Sequence, residues 1–177
     1  MKIALVRHGE TEENHSGRIQ GRSNHLLNDI GRGQCQELRD KIKEKHFDIC
    51  YMSPLLRTVE TAFIIIGDTV PTVVDDRIIE RDMGELEGHP REEYNSFEYW
   101  DYELNKSEKG VESVQDLFKR SEDFLNYIME KNKGQDILIV THSAVYRALR
   151  YLIQKHPLKG KLMDGYIKNC QYEEFEI

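Results

Sequence analysis

The sequence predicts an α/β fold, a three-layer αβα sandwich around a mainly parallel central sheet with one antiparallel edge strand. Three observations predict it. Short apolar, β-branched runs, "KIALV" at Lys2–Val6 and "DILIV" at Asp136–Val140, have the length and composition of buried strands. Segments with apolar residues at helix spacing separate such runs, and this alternation marks a parallel sheet covered on both faces. The last stretch, 171–177, alternates as an edge strand does.

Taken in order, the strand at Lys2–Val6 runs into a loop at Gly9, so the residues that follow it belong at the carboxyl edge of the sheet. Asn28 can cap a helix reaching His46, with Leu38 and Ile42 four apart on one face. Asp48–Met52 is a second strand. Ser53-Pro54 then suits a helix start, since proline at the first helical position loses no needed N–H, and this helix turns Leu55, Val59, Ala62, Phe63 and Ile66 inward. Thr72–Val74 is a third strand, followed by a charged, glycine-bearing loop from Arg77 to Gly88. Val111–Lys131 is helical, with Val114, Leu117, Phe118, Leu125 and Ile128 at helix spacing and Gly134 closing it. The strand at Asp136–Val140 turns directly into a helix through "THSAVYRALRYLI". Ligands of such sheets sit beyond the strand carboxyl ends, where His8, Ser53, the loop holding Glu80, and His142 are expected to gather.

Length and composition bound the function. At 177 residues the chain is expected to be one domain, 1–177, with a short lid at about 89–110. A formal net charge of −7 offers no general attraction to nucleic acid or anionic lipid. The first apolar run breaks at Arg7, too soon for a signal-peptide core or a spanning helix. Cys35, Cys50 and Cys170 are odd in number and show no disulfide framework or zinc spacing. They read as separate packed thiols in a reducing, cytoplasmic setting.

Two predicted strands end in a histidine, "VRHG" and "VTHS", and the helix after a third carries Arg57 in "SPLLRTVETA". The block "RHGETEEN" at Arg7–Asn14 resembles the hallmark of the histidine phosphatase superfamily, the phosphoglycerate-mutase-like proteins. The resemblance continues through "IQG" at Ile19–Gly21, "LNDIGRGQ" at Leu27–Gln34, "SPLLRTVETA" at Ser53–Ala62, "IERDMGELEG" at Ile79–Gly88 and "VTHSAVYRAL" at Val140–Leu149. It implies that His8 is the nucleophile that takes up the phosphoryl group, that Arg7, Arg57 and His142 hold its oxygens, and that Glu80 first protonates the leaving oxygen and then prepares water. Asn14, Gln20 and Gly21 match positions that orient the phosphate and its loop. Where the family often carries glycines after the second histidine, this chain has Ser143, a further phosphate-binding position, and Ala144. The chemistry is consistent with the residue types, because phosphoryl transfer asks for a placed nucleophile and fixed donors around the equatorial oxygens. Histidine is already largely neutral near pH 7, and neighbouring cations favour the neutral ring further.

The reading is therefore metal-independent, cofactor-free hydrolysis of a small phosphorylated metabolite through a phosphohistidine, with inorganic phosphate as product. Phosphoglycerate-mutase-type transfer and a non-catalytic phosphate-binding domain are the alternatives within the fold. A metal hydrolase would need ligands such as His8, Glu10 and His15, but no H-E-x-x-H pair occurs. "GRGQCQ" at Gly31–Gln36 lacks the features of a nucleotide loop. Two features of 89–110 favour a phosphatase over a mutase: it is shorter than the insertion of the glycolytic mutases, and its acidic excess is expected to repel a bisphosphorylated ligand. Its aromatics, Tyr94, Phe97, Tyr99, Trp100 and Tyr102, either rim the site for a planar or hydrophobic leaving group or pin the lid down.

Overall fold

The computed structural model describes residues 1–177. Its strands are β1 (Lys2–Arg7), β2 (Ile49–Met52), β3 (Thr72–Val74), β4 (Ile137–Thr141) and β5 (Tyr172–Glu176). Its helices are α1 (Glu12–His15), α2 (Asp29–Ile42), α3 (Leu56–Ile66), α4 (Ser96–Tyr99), α5 (Val114–Lys131) and α6 (Ser143–Ile153). The strands form one sheet in the order β3-β2-β4-β1-β5. All neighbours are parallel except β1 and β5, which are antiparallel, as the sequence predicts.

Strand alternation builds the layers. Successive side chains of a strand point to opposite faces, so Ile3, Leu5, Ile137 and Ile139 join a core with α5 and α6. Ala4, Val6, Leu138 and Val140 join a second core with α2 and α3. These eight residues are fully buried, and each large aliphatic among them contributes about 1.5–3 kcal/mol of transfer free energy.

Element boundaries shift for local reasons. Asn28 does cap α2, its side chain accepting the Gly31 N–H at 2.7 Å, but the helix ends at Ile42 rather than His46. α3 starts at Leu56, not at Pro54: a remote loop supplies the cap, Leu56 N–H donating to Asn24 Oδ1 at 2.8 Å. Its inward stripe also differs from the expected apolar one. Ala62 is buried, but Phe63 is 51% exposed, while Arg57, Thr58 and Thr61 are buried. These polar side chains face the strand ends, where loop backbone needs partners; Thr61 Oγ1 accepts the Gly9 N–H at 3.0 Å. α5 begins at Val114, because Ser113 Oγ accepts the Asp116 N–H at 3.1 Å.

The segment 89–110 is rooted on the loop after α1, with Ile19 N–H donating to His89 O and Arg91 N–H to Gly17 O. Tyr99 and Trp100 are buried, and Tyr102 packs edge-on against Phe118. These three aromatics pin the segment; Phe97 is exposed.

The loop after β1 crosses α2 at backbone contact. A Cβ on Gly31 would lie 2.1 Å from Glu10 O, and one on Gly9 would lie 2.7 Å from Gly31 O. Helix propensity alone would make Gly31→Ala stabilising by about 1 kcal/mol. The crowding reverses the sign, and Gly31→Ala is expected to lose about 1–3 kcal/mol, the usual cost of overpacking. Urea denaturation checks it, and an unchanged or raised midpoint contradicts the contact.

Candidate active site

Sheet register assembles the site. Arg7, the last residue of β1, is level with Thr141 of β4, and Met52 of β2 is level with Val140. The next residues, His8, His142 and Ser53, therefore emerge together at the carboxyl edge. His8 N–H donates to Thr141 O at 3.0 Å, and the rings of His8 and His142 meet edge-on with centroids 5.2 Å apart.

The tautomer of His8 follows from its partner. Nδ1 lies 2.7 Å from Gly9 O, and a carbonyl oxygen can only accept, so Nδ1 carries the proton. Nε2 is left with its lone pair. Burial, then the Arg57 and Arg7 cations, hold His8 well below the ordinary histidine range, so the ring is neutral at neutral pH.

Arg57 is clamped by three acceptors: Nε donates to His142 Nδ1 at 3.2 Å, Nη1 to Ser23 O and Nη2 to Gly21 O, both at 2.7 Å. One N–H remains on each terminal nitrogen. Burial lowers Arg57 to about 10, which leaves it charged. Arg7 donates through Nη1 to Ile167 O, its Nε is buried without a partner, and burial lowers it too.

His142 departs from its expected role. Nδ1 accepts from Arg57, so its proton is on Nε2, which donates to Ser53 Oγ at 2.6 Å. Both ring nitrogens are thus engaged within the protein, and the ring holds Arg57 instead of presenting a free N–H. Burial and Arg57 hold it well below its ordinary value.

Glu80 Oε1 accepts the N–H of Arg81 at 2.9 Å and that of Ala144, in the first turn of α6, at 3.2 Å. Its other oxygen takes no bond from the protein. Ser143 and Ala144 are ordinary helical residues, so no glycine is required there. Asn14 closes a capping box with Thr11 and accepts from Asn169 Nδ2 at 3.1 Å, leaving its amide N–H groups available. Gln20 is buried with Oε1 unpartnered. Gly21 has φ +52°, and a Cβ there would strike Glu87 Oε1 at 2.1 Å; it acts through the carbonyl that holds Arg57.

Arg7, His8, Asn14, Gln20, Gly21, Arg57, Glu80 and Ser143 line one cavity of about 380 Å³. Four more arginines line it, and sequence reasoning missed their place in the site: Arg18, Arg81, Arg91 and Arg147. Arg147 stood in plain view within "VTHSAVYRAL"; Arg18 and Arg91 carry no motif and meet because Arg18 bridges to Pro90. None of the lining arginines is in an ion pair, whereas Arg22, Arg32, Arg77 and Arg120 outside it each hold a carboxylate. Arg81 donates through Nε to Glu112 O, Nη1 to Tyr94 OH and Nη2 to Tyr99 O, and like Arg57 it keeps one N–H on each terminal nitrogen. Tyr166 lies beside Arg7 and Arg91; burial opposes the shift, yet those cations hold its phenol below its ordinary value.

This overturns the charge argument drawn from the lid. Glu93 pairs with His89, Glu98 and Glu108 hold Lys106, and Glu103 accepts the Gly160 N–H. No acidic residue of 89–110 lines the cavity, whose field is cationic. Of the lid aromatics, Tyr94 and Trp100 do rim the cavity, with Tyr94 stacked on Tyr99 and Trp100 carrying the guanidinium groups of Arg81 and Arg147 at 5.1 and 4.5 Å. His8, Glu10 and His15 do not gather as a donor set; His15 instead approaches Glu10 at the surface, at 3.4 Å. No helix is long and apolar enough to cross a membrane.

A family model described as "Histidine phosphatase superfamily (branch 1)" matches residues 3–177. Phosphoserine phosphatase 1 of Hydrogenobacter thermophilus is 34% identical over 84% of this chain and 74% of its own length. Among solved structures, YhfR of Bacillus stearothermophilus superposes with a TM-score of 0.88 at 26% identity, covering 99% of this chain and 91% of that one. A phosphoserine phosphatase variant of Entamoeba histolytica, in complex with phosphoserine, gives 0.86 at 28% identity, covering 99% and 90%.

The buried histidines set a pH dependence of stability. With folded pKa values depressed below the unfolded 6.5, the unfolded chain binds more protons as pH falls, so stability is full above about pH 6.5 and is lost below it. The slope is up to about 1.4 kcal/mol per pH unit for each histidine. Denaturant melts between pH 7.5 and pH 5 check it: stability falls on acidification, and His142→Gln flattens the fall. A flat wild-type profile contradicts the depressed values.

Proposed function

The chain belongs to the histidine phosphatase superfamily, and from that premise we propose that it hydrolyses small phosphomonoesters through a phosphohistidine on His8. The observation that carries the reading is the His8 ring: neutral, protonated at Nδ1 by its bond to Gly9 O, and bare at Nε2. In the proposed reaction Nε2 attacks phosphorus while the equatorial oxygens take the free N–H groups of Arg7 and Arg57 and the Asn14 amide. Such fixed donors stabilise charge without reorganising. His142 and Gly21 are positioning residues that act through Arg57. Glu80 gives the departing oxygen its proton, then takes one from the water that displaces the phosphoryl group from nitrogen, releasing inorganic phosphate. No step needs a metal or a cofactor.

The favoured substrate carries a second anionic group, a carboxylate. With Arg7 and Arg57 given to the phosphate, Arg18, Arg81, Arg91 and Arg147 remain without a carboxylate in the same cavity. Guanidinium groups and carboxylates pair through two parallel bonds. A bulky aryl leaving group is disfavoured, since the rings of Tyr94 and Trp100 already have partners. The relative solved with phosphoserine agrees with this preference.

The test is phosphate release from matched pairs, O-phosphoserine against phosphoethanolamine and 3-phosphoglycerate against glycerol 3-phosphate, with isomer products followed in parallel. His8→Ala is expected to abolish release. The carboxylate member is expected to lead by roughly tenfold or more in kcat/KM, the weight of one hydrogen bond between charged groups, and Arg91→Met or Arg147→Met to narrow the gap. Release that survives in His8→Ala, or dominant isomerisation of 3-phosphoglycerate, contradicts the hydrolase reading. Equal rates within each pair contradict the carboxylate preference alone.

A further inference from the structure

We infer that Cys35 and Cys170 form an oxidation site, closing under peroxide into a reversible disulfide that loosens the phosphate site. The thiols are 135 residues apart in sequence, yet their sulfurs lie 3.3 Å apart. Both are free. The gap is hydrogen-bond contact rather than a bond of about 2.05 Å, so roughly one ångström of approach separates the two states.

The surroundings decide which side moves. Cys35 is fully buried on α2, its sulfur against Gly9 and 3.7 Å from Thr61 Oγ1. Cys170 is half-buried in the turn before β5 with φ +51°, a left-handed conformation that residues bearing a Cβ rarely adopt. Cys170 is therefore the partner that peroxide reaches and the partner that shifts, its access outweighing the contact with Cys35 and the burial that hold its thiol above the ordinary value.

The steps balance. Cys170 sulfur attacks one peroxide oxygen as the O–O bond breaks, its proton leaving with the second oxygen as water, and Cys170 becomes a sulfenic acid. Cys35 sulfur then attacks the Cys170 sulfur, the S–O bond breaks, and the departing hydroxide takes the Cys35 proton as a second water. Two thiols are oxidised by two electrons and one peroxide is reduced. The existing contact favours the second step, because the Cys35 sulfur already lies 3.3 Å from the sulfur it attacks.

Closure reaches the nucleophile through the backbone. Cys170 N–H donates to His8 O at 3.2 Å, and Asn169 Nδ2 donates to His8 O and to Asn14 Oδ1, both at 3.1 Å. Arg7 N–H donates to Gln171 O in the same turn. Shifting Cys170 strains four bonds that hold Arg7, His8 and Asn14.

The test treats the whole protein with hydrogen peroxide, alkylates the remaining thiols and maps the peptides. A Cys35–Cys170 cross-link is expected, with Cys50 still alkylated after unfolding, because Cys50 is buried apart from the pair and burial pushes it up to about 12. Vanadate binding, which does not depend on turnover, is expected to weaken roughly tenfold on oxidation, the weight of one hydrogen bond to a charged group, and to recover with dithiothreitol. Cys170→Ser is expected to keep its vanadate affinity through the same treatment. Cys170 over-oxidised without a cross-link, or both thiols still alkylating, overturns the proposal. A cross-link that leaves vanadate affinity unchanged overturns its effect on the site.

Discussion

The hydrogen bond from His8 Nδ1 to the carbonyl of Gly9, 2.7 Å long, decides which ring nitrogen faces the cavity. Almost everything nearby serves to keep that bond in place. Thr141 O takes the His8 N–H, Thr61 Oγ1 takes the Gly9 N–H, and Cys170 with Asn169 hold the His8 carbonyl. A side chain on residue 9 would push this turn off α2. One peptide unit thus couples two strands, two helices and the turn before β5 to the orientation of one imidazole.

The second constraint is the burial of arginine. Taking a charge out of water is costly unless its donors are satisfied. Arg57 meets that demand with two loop carbonyls and an imidazole nitrogen and Arg81 with two carbonyls and a phenol, whereas Arg7 has one carbonyl and leaves its buried Nε without a partner. Neutral acceptors fix the guanidinium groups without cancelling their charge. A carboxylate in their place would steady them equally well and remove the field that draws a phosphate. Outside the cavity Arg22, Arg32, Arg77 and Arg120 are paired with carboxylates instead.

Much of this was legible in the sequence because it is local. Strand alternation and helix spacing predicted the layers, and the ends of β1 and β4 announced His8 and His142. What failed was tertiary. The buried face of α3 could not be read from hydrophobicity, since Arg57, Thr58 and Thr61 are buried by what they bond, not by being apolar. Nor could the acidic composition of 89–110 reveal that its carboxylates point away while Arg91 points in. The fate of each His142 nitrogen, and the meeting of Cys35 with Cys170 across the sheet edge, depend on loops whose paths carry no periodic signal.

The account rests on a neutral His8 with its proton on Nδ1, and ring ¹⁵N NMR measures this directly. Uniformly labelled protein at neutral pH, with His8→Gln to assign the signals, is expected to show one ring with a protonated Nδ1 and a bare Nε2, unchanged down to a pH well below 6.5. A ring protonated at Nε2, or an imidazolium at neutral pH, would contradict it.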